Sequence, residues 1–212
     1  MSSTAPRAQS TEAVALRVGS HTELGALADA VLGAGRRHEL GLLDVANAPD
    51  AAADGTPVDV VWAGPDDVSR LRHGGELAVA VRAARTRLRA GGLLLLPAPE
   101  PAELKSLHAV APVAVQLGPG GVAGPVGVWD FTAGGVRSYS CQLLSLCRSA
   151  EGWMVAPGPI TWFEVPTEQE LRALLADAGY RGVQRLSMSE TGLSCTVWAA
   201  VAPSSTPAGH PS

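Results

Sequence analysis

Hydrophobic residues recur along this chain in two patterns, one typical of strands and the other typical of helices. Short apolar runs bounded by glycine or proline predict strands, and they lie at residues 13–18, 40–45, 58–62 and 93–96. Between them, apolar residues recur at helical spacing. Strands that alternate with helices in this order predict a parallel sheet covered by helices on both faces.

Two helices are predicted in the first half of the chain. Thr22 can cap a helix whose apolar positions are spaced three and four residues apart and which stops near 33–35. A second helix is predicted over 76–89, and Ala90-Gly91-Gly92 is expected to end it.

The second half of the chain is richer in β-structure. Apolar segments predict strands at 126–132, 136–148, 153–155, 160–165, 183–187 and 195–201. Thr167 and Glu170 form a capping-box pattern that opens a helix ending at Gly179. We therefore expect one domain over 13–202 with a β-rich insertion at 112–165. Disorder is expected at 1–12 and 203–212.

Composition excludes several classes of function. The chain has 212 residues, 46% of them hydrophobic and 17% charged, which predicts a folded globular domain. A net charge of −4 without a basic cluster argues against nucleic-acid binding. The longest apolar stretch, 93–99, is shorter than the roughly 20 residues of a membrane helix. The polar start and the unpaired spacing of the cysteines predict a cytoplasmic protein without a metal site.

Three sequence segments resemble the class I S-adenosylmethionine-dependent methyltransferases. Val58-Asp-Val-Val61 is similar to the opening of that family's fourth strand, and Leu88-Arg-Ala-Gly-Gly-Leu-Leu-Leu-Leu96 is similar to the entry of its fifth strand. The segment from Val165 to Tyr180 is similar to the family's last helix. The resemblance covers about 13–202. It implies a Rossmann-like α/β fold with a reduced parallel sheet, antiparallel C-terminal strands and a β-rich insertion after the fifth strand.

The resemblance is weakest where the family binds its cofactor. The family's glycine-rich first loop corresponds to Leu16-Arg-Val-Gly-Ser-His-Thr-Glu23, in which Gly19 is kept but His21 and Glu23 replace glycines. Side chains at these positions obstruct the close approach of the backbone to a ligand. The expectation at this point is a protein with no cofactor, in which Gly19 and Asp44 are vestiges of the cofactor site.

A second departure from the family lies between Arg37 and Asp59, where only one strand and a loop fit. In one register, Asp44-Val-Ala-Asn-Ala-Pro49 matches the stretch near the adenine, and the family's second strand is missing. In the other register, Asp44 is the acid that holds the ribose and the third strand is missing.

Candidate site residues lie at the predicted carboxyl ends of the strands and in the insertion, because open α/β sheets bind ligands there. The candidate catalytic residues are His21, Asp66, Asp67 and Tyr139. The candidate substrate-binding residues are Trp62, Trp129, Asp130, Trp153 and Trp162. Each has a simpler structural interpretation as well, such as helix capping for the aspartates or core packing for the tryptophans.

Three functions follow from this interpretation. The first is a small-molecule enzyme of bacterial natural-product metabolism that has lost methyl transfer and catalyses a cyclisation, rearrangement or elimination. The second is a non-catalytic subunit that stabilises a homologous or pathway protein as a hetero-oligomer. The third is a genuine small-molecule methyltransferase.

Overall fold

The computed structural model describes residues 21–47, 56–100, 103, 122–132, 137–149, 152–193 and 195–203. The helices and strands, in chain order, are α1 (His21–Leu32), β1 (Glu39–Gly41), α2 (Leu42–Asn47), β2 (Val58–Trp62), α3 (Asp67–His73), α4 (Leu77–Arg87), β3 (Leu88–Pro97), β4 (Val122–Asp130), β5 (Ser138–Ser149), β6 (Gly152–Glu164), α5 (Glu168–Asp177), β7 (Arg181–Leu186), α6 (Met188–Thr191) and β8 (Val197–Val201).

The main sheet has the order β1-β2-β3-β8-β7. Strands β1, β2 and β3 are parallel, and β8 runs antiparallel to both of its neighbours. This sheet, with the β-rich insertion that follows β3, agrees with the fold class predicted from the sequence. The predicted strand at 13–18 and the two predicted disordered ends lie outside the described residues.

Successive residues of β3 point to opposite faces of the sheet and divide the core in two. Leu94 and Leu96 pack with helices α2 to α5, whereas Leu93 and Leu95 pack with α1. All four leucines are at most 1% exposed. This arrangement explains why residues 93–96 read as an uninterrupted apolar run, which is typical of a strand buried on both faces. No helix in the described part of the chain has the length and apolarity to cross a membrane.

Several predictions of local structure are wrong. Thr22 does not cap the first helix, because α1 already begins at His21. The run at 40–45 forms a strand only as far as Gly41 and then turns directly into α2, because Leu42 and Val45, three residues apart, bury the same helical face. Residues 90–92 do not end a helix but lie inside β3 as an irregularity in its pairing with β2. Gly91 has a φ of 74°, a left-handed conformation that favours glycine.

The insertion is an antiparallel sheet of order β4-β5-β6. Residues 153–155 and 160–165 were predicted as two short strands, but most of these residues belong to the single strand β6. Trp162 of this strand stacks on His73 of α3, with ring centroids 6.4 Å apart. The insertion therefore lies against the α3 side of the main domain.

A four-residue ion network joins the insertion to the main domain. Arg72 of α3 donates to Glu170 of α5 at 2.9 Å, and Arg137, next to β5, donates to the same carboxylate at 3.0 Å. Both arginines also lie within 4 Å of Glu164 at the end of β6. Glu170 completes the predicted capping box, because it accepts from the Thr167 backbone N–H at 2.7 Å.

Glu170 should make the free energy of unfolding depend on pH in the acid range. The Thr167 backbone N–H, followed by Arg72, lowers the pKa of Glu170 from 4.5 to about 2, against the opposing effect of burial. Because the folded pKa is depressed, this stabilisation is present above the unfolded pKa and is lost as pH falls towards 2. We predict that Glu170→Gln lowers the free energy of unfolding by about 1 kcal/mol at pH 7, a value limited by solvent exposure.

Urea denaturation measures this loss in the free energy of unfolding, and Glu168→Gln is the matched control. Glu168 lies in the same helical turn, and its closest ion pair is with Arg172 one turn away. Such a pair is worth about 0.3–0.5 kcal/mol. Equal losses in the two variants, or a loss for Glu170→Gln that does not shrink between pH 5 and pH 2, would contradict the role given to the network.

Candidate functional site

The parallel pairing of β1 with β2 builds the edge of the sheet where a ligand can bind. Gly41 pairs with Trp62, so both strands end at nearly the same level. In a doubly wound sheet of order 3-2-1-4-5-6, the strand beside the fourth is the first. Since β2 is the segment that resembles the family's fourth strand, β1 occupies the place of the first strand. The crevice outside these strand ends is the usual ligand site.

Each of these two strand ends carries a glycine followed three residues later by an aspartate. A Cβ atom added to Gly41 would lie 2.8 Å from Asp44 Oδ2, and one added to Gly64 would lie 2.9 Å from Asp67 Oδ2. At each strand end a carboxylate therefore folds back into the space that a side chain on the glycine would take. The Gly64 N–H also donates to Asp67 Oδ2 at 2.6 Å. We call these residues the strand-end glycine–aspartate pairs.

The carboxylates of the two pairs lie close enough to influence each other. Burial raises the pKa of Asp67, the Gly64 hydrogen bond opposes this, and the charges of Asp66 and Asp44 raise it further. Asp44 itself is exposed in the first turn of α2. The edge of the sheet therefore offers hydrogen-bond acceptors and negative charge to a ligand that carries hydrogen-bond donors or positive charge.

The structure brings Asp66 and Tyr139 together across 73 positions in the sequence. The Tyr139 hydroxyl donates to Asp66 Oδ1 at 2.8 Å, and Tyr139 is only 1% exposed. Burial, followed by the charge of Asp66, raises the pKa of Tyr139 far above its usual value. Ser69, fully buried on α3, makes no hydrogen bond of normal geometry, although its hydroxyl lies near enough to Tyr139 to oppose that shift. Tyr139 is thus a neutral hydrogen-bond donor.

The Tyr139 ring is part of an aromatic cluster inside the insertion. It stacks on Phe163 with ring centroids 4.7 Å apart and on Phe131 at 5.6 Å, and Trp129 lies 6.0 Å away. Cys141 packs in the same cluster, and burial, followed by the charge of Asp66, raises its pKa to about 11. The rings fill the space between them, so this cluster fixes the position of the Tyr139 hydroxyl.

The other predicted site residues are dispersed. Trp62 ends β2 and is half-buried against the α1 side of the core, and Trp162 stacks on α3. Asp130 is exposed and accepts from the backbone N–H and the hydroxyl of Thr132. The side chains of His21 and Trp153, and the whole of Gly19, lie outside the described residues. The catalytic roles assigned to His21, Asp66, Asp67 and Tyr139 remain predictions.

A cavity of about 270 Å³ opens at the carboxyl end of β3. Trp198, Leu171 and Val165 contribute apolar walls, while Arg137, Arg185, Glu100 and Glu168 contribute charge. Arg185 pairs with Glu100 and lies 4.0 Å from Glu168. Sequence reasoning did not place these charged residues in a site, because Arg185 pairs with Glu100 across 85 positions and Arg137 pairs with Glu170 across 33 positions. Arg137 and Arg185 were recognised only as residues of predicted strands, and Glu168 only as part of the helix after Thr167.

Among the residues that the structure describes, no three His, Cys, Asp or Glu side chains are placed to hold a metal ion.

Comparisons with known proteins support the fold. No family model matches the chain, and no curated protein matches it. Among solved structures, the CcbJ methyltransferase from Streptomyces caelestis is similar over 86% of this chain and 89% of its own, with a TM-score of 0.52 and 15% identity. The sugar N-methyltransferase KedS8 from Streptoalloteichus is similar over 70% of this chain, with a TM-score of 0.50 and 19% identity.

The chain is shorter than most of these neighbours. It spans 57% of the KedS8 chain and 59% of CalS10, an amino pentose methyltransferase from Micromonospora echinaspora whose structure holds S-adenosylmethionine. The TM-score with CalS10 is 0.47 at 23% identity.

The expectation that the protein uses no cofactor is wrong. CcbJ and KedS8, which share this fold, are methyltransferases, and the class I fold is that of enzymes that use S-adenosylmethionine. The expectation came from the altered loop around Gly19, a residue outside the described part of the chain. The carboxylates of the strand-end pairs fit S-adenosylmethionine, because they can accept hydrogen bonds from its ribose hydroxyls and amino group and match its positive charges. The chain has the class I methyltransferase-like fold.

Proposed function

We propose that this chain is an S-adenosylmethionine-dependent methyltransferase that acts on a small molecule. One observation carries the proposal: two glycine–aspartate pairs lie at the ends of adjacent parallel strands in a methyltransferase-like fold. Binding sites in open α/β sheets lie at this edge, and the fold is that of CcbJ and KedS8.

The residues of the strand-end pairs would hold the cofactor. Asp44, exposed at the end of β1, is placed to accept hydrogen bonds from hydroxyl or amino donors. Asp67 adds negative charge in a partly desolvated position, where it interacts more strongly with a cation than it would in water. Bound S-adenosylmethionine supplies an electrophilic methyl group on a positively charged sulfur. The chain's own task is to orient the acceptor and to receive its proton.

We propose that the acceptor occupies the cavity at the end of β3. That strand lies beside β2 in parallel, so the cavity opens on the same edge of the sheet as the strand-end pairs. Its volume of about 270 Å³ suits a molecule of monosaccharide size. The charged lining of Glu100, Glu168 and Arg185 suits hydroxyl and amino groups better than an apolar ligand. The similarity in fold to a sugar N-methyltransferase supports an amine-bearing sugar.

Cofactor binding is the first test. S-adenosylhomocysteine at 100 times its dissociation constant should add about 2.7 kcal/mol of stability, which a thermal-unfolding assay detects easily. Asp44→Asn should weaken the binding about tenfold, because a hydrogen bond to a charged group is worth roughly 1.5–3 kcal/mol.

Asp177→Asn is the control, because it removes a carboxylate of the same type at the exposed end of α5. It should bind S-adenosylhomocysteine as the wild type does. A folded wild-type protein that shows no binding by calorimetry would contradict the proposed function.

Asp67→Asn should separate stability from binding. The pKa of Asp67 is raised in the folded state, so its contribution to stability is lost as pH rises through the folded pKa. An asparagine keeps an oxygen for the Gly64 N–H but carries no buried charge. We expect the variant to unfold at a higher denaturant concentration at pH 7 and to bind S-adenosylmethionine more weakly. Reduced stability together with unchanged binding would exclude a cofactor role for Asp67.

Methyl transfer to an amino sugar tests the acceptor cavity. We expect mass spectrometry to detect a methylated product when wild-type protein and S-adenosylmethionine are incubated with a panel of amino hexoses, but not with the corresponding neutral hexoses. Glu168→Gln should reduce the yield about tenfold, since it removes an exposed carboxylate from the cavity with little effect on folding. Equal yield from Glu168→Gln, or no product from any amino sugar, would contradict this acceptor site.

A non-catalytic partner subunit is the second candidate function. The insertion exposes Val128, Met154, Val155 and Ile160, each by about half or more of its surface. An exposed apolar surface is typical of a protein interface, and a homologous or pathway protein would cover it. The S-adenosylhomocysteine titration distinguishes the two candidates, because a supporting subunit has no need to bind the cofactor alone.

A further inference from the structure

One contact links the insertion directly to the cofactor edge of the sheet. Tyr139 belongs to β5 of the insertion, whereas Asp66 lies between β2 and α3, within the segment that carries the second strand-end pair. The next residue, Asp67, folds back onto Gly64. Two neighbouring carboxylates therefore shape this segment, and they turn to different partners.

Asp66 makes a distant hydrogen bond instead of a local one. It precedes α3 with a helical backbone conformation (φ −98°, ψ −12°) instead of the extended one of a capping residue, and its side chain makes no capping bond. The carboxylate accepts from the buried Tyr139 hydroxyl of the insertion. This contact ties the segment between β2 and α3 to β5.

The strand that carries Tyr139 also reaches the acceptor cavity. Arg137, two residues earlier, lines that cavity and is fixed by Glu170. The Arg137 carbonyl accepts from the Val165 N–H at 2.8 Å, and Val165 lines the cavity too. Arg137, at one end of this short segment, therefore lines the cavity, and Tyr139, at the other end, contacts Asp66 between β2 and α3.

Packing around the Tyr139 ring restricts the position of its hydroxyl. Phe163 lies almost parallel to it, with an angle of 8° between the planes, and the side chain is 1% exposed. The packed ring therefore holds the hydroxyl at a fixed position, from which it donates to Asp66.

We propose that Tyr139 and Asp66 are a positioning pair that holds the Gly64–Asp67 segment in its cofactor-binding arrangement and couples it to the wall of the acceptor cavity. This inference rests on the proposed cofactor site. Without the tyrosine hydroxyl, Asp66 loses its hydrogen bond to the insertion, and the segment that presents Asp67 loses a contact that ties it to β5.

The test is the affinity for S-adenosylhomocysteine, measured by calorimetry on the full chain. Tyr139→Phe should weaken binding about tenfold while retaining the aromatic packing. Tyr180→Phe is the matched control: Tyr180 is also buried, and its hydroxyl donates to the Val81 carbonyl at 3.3 Å, away from the strand-end pairs. The control should bind within twofold of wild type, although it also loses one buried hydroxyl.

Variants of Asp66 show whether the hydrogen bond itself is responsible. Asp66→Asn keeps an oxygen that accepts from Tyr139 and should retain most of the affinity, whereas Asp66→Ala should lose about tenfold. The double variant Tyr139→Phe/Asp66→Ala should bind no more weakly than the weaker single variant, because residues that act through one contact are not additive. If Tyr139→Phe does not fold, the affinity of Asp66→Ala for S-adenosylhomocysteine tests the proposal instead.

The outcomes separate this inference from the proposed function. If the wild type binds S-adenosylhomocysteine and Tyr139→Phe binds it with unchanged affinity, the positioning pair is overturned and the cofactor site stands. The same conclusion follows if Tyr180→Phe loses as much affinity as Tyr139→Phe. Additive losses in the double variant overturn it as well. Absence of binding in the folded wild-type protein overturns both.

Discussion

The candidate site depends on the parallel pairing of a three-residue strand, β1, with β2. The register that sets Gly41 beside Trp62 brings both strand ends to one level. Without that pairing, Asp44 and Asp67 would belong to unrelated parts of the chain. With it, their charges interact, and the edge of the sheet becomes a compact acceptor of hydrogen bonds and positive charge. The short strand is held in place because the next residue, Leu42, is fully buried in the core.

The insertion is attached by two different kinds of interaction. The network of Arg72, Arg137, Glu164 and Glu170 is partly exposed, so each ion pair contributes only modestly to stability. The Tyr139–Asp66 hydrogen bond is partly buried and directional, and it joins the insertion to the segment between β2 and α3. Together they bring the acceptor cavity and the strand-end pairs to the same edge of the sheet, as a transfer between two bound molecules requires.

Local signals predicted the fold well where a single segment determined the outcome. The helix at 21–32, the strand at 58–62 and the Thr167 capping box were visible because apolar spacing and the Thr167 capping chemistry act over a few residues. The end of β1 could not be predicted from the sequence, because this three-residue strand is defined by its hydrogen bonds to its partner, β2. The irregularity at Gly91 also depends on pairing with a neighbouring strand.

The site was harder to predict than the fold, for a related reason. Asp66, Asp67 and Tyr139 were recognised as candidates from their places in the sequence, but the contact between Asp66 and Tyr139 joins segments 73 residues apart. The expectation of no cofactor came from the altered loop that follows residues 13–18, a segment outside the described part of the chain. The order of the strands in the sheet depends on hydrogen bonds between strands, and the pattern within a single segment does not predict that order.

Hydrogen–deuterium exchange with and without S-adenosylhomocysteine tests the central claim most directly. If the cofactor binds at the ends of β1 and β2, bound ligand should slow exchange in peptides covering 41–47 and 62–67. Peptides covering the exposed part of β6 should be unaffected. Protection confined to residues 16–23, or no protection at saturating ligand in a folded sample, would contradict a cofactor site at these strand ends.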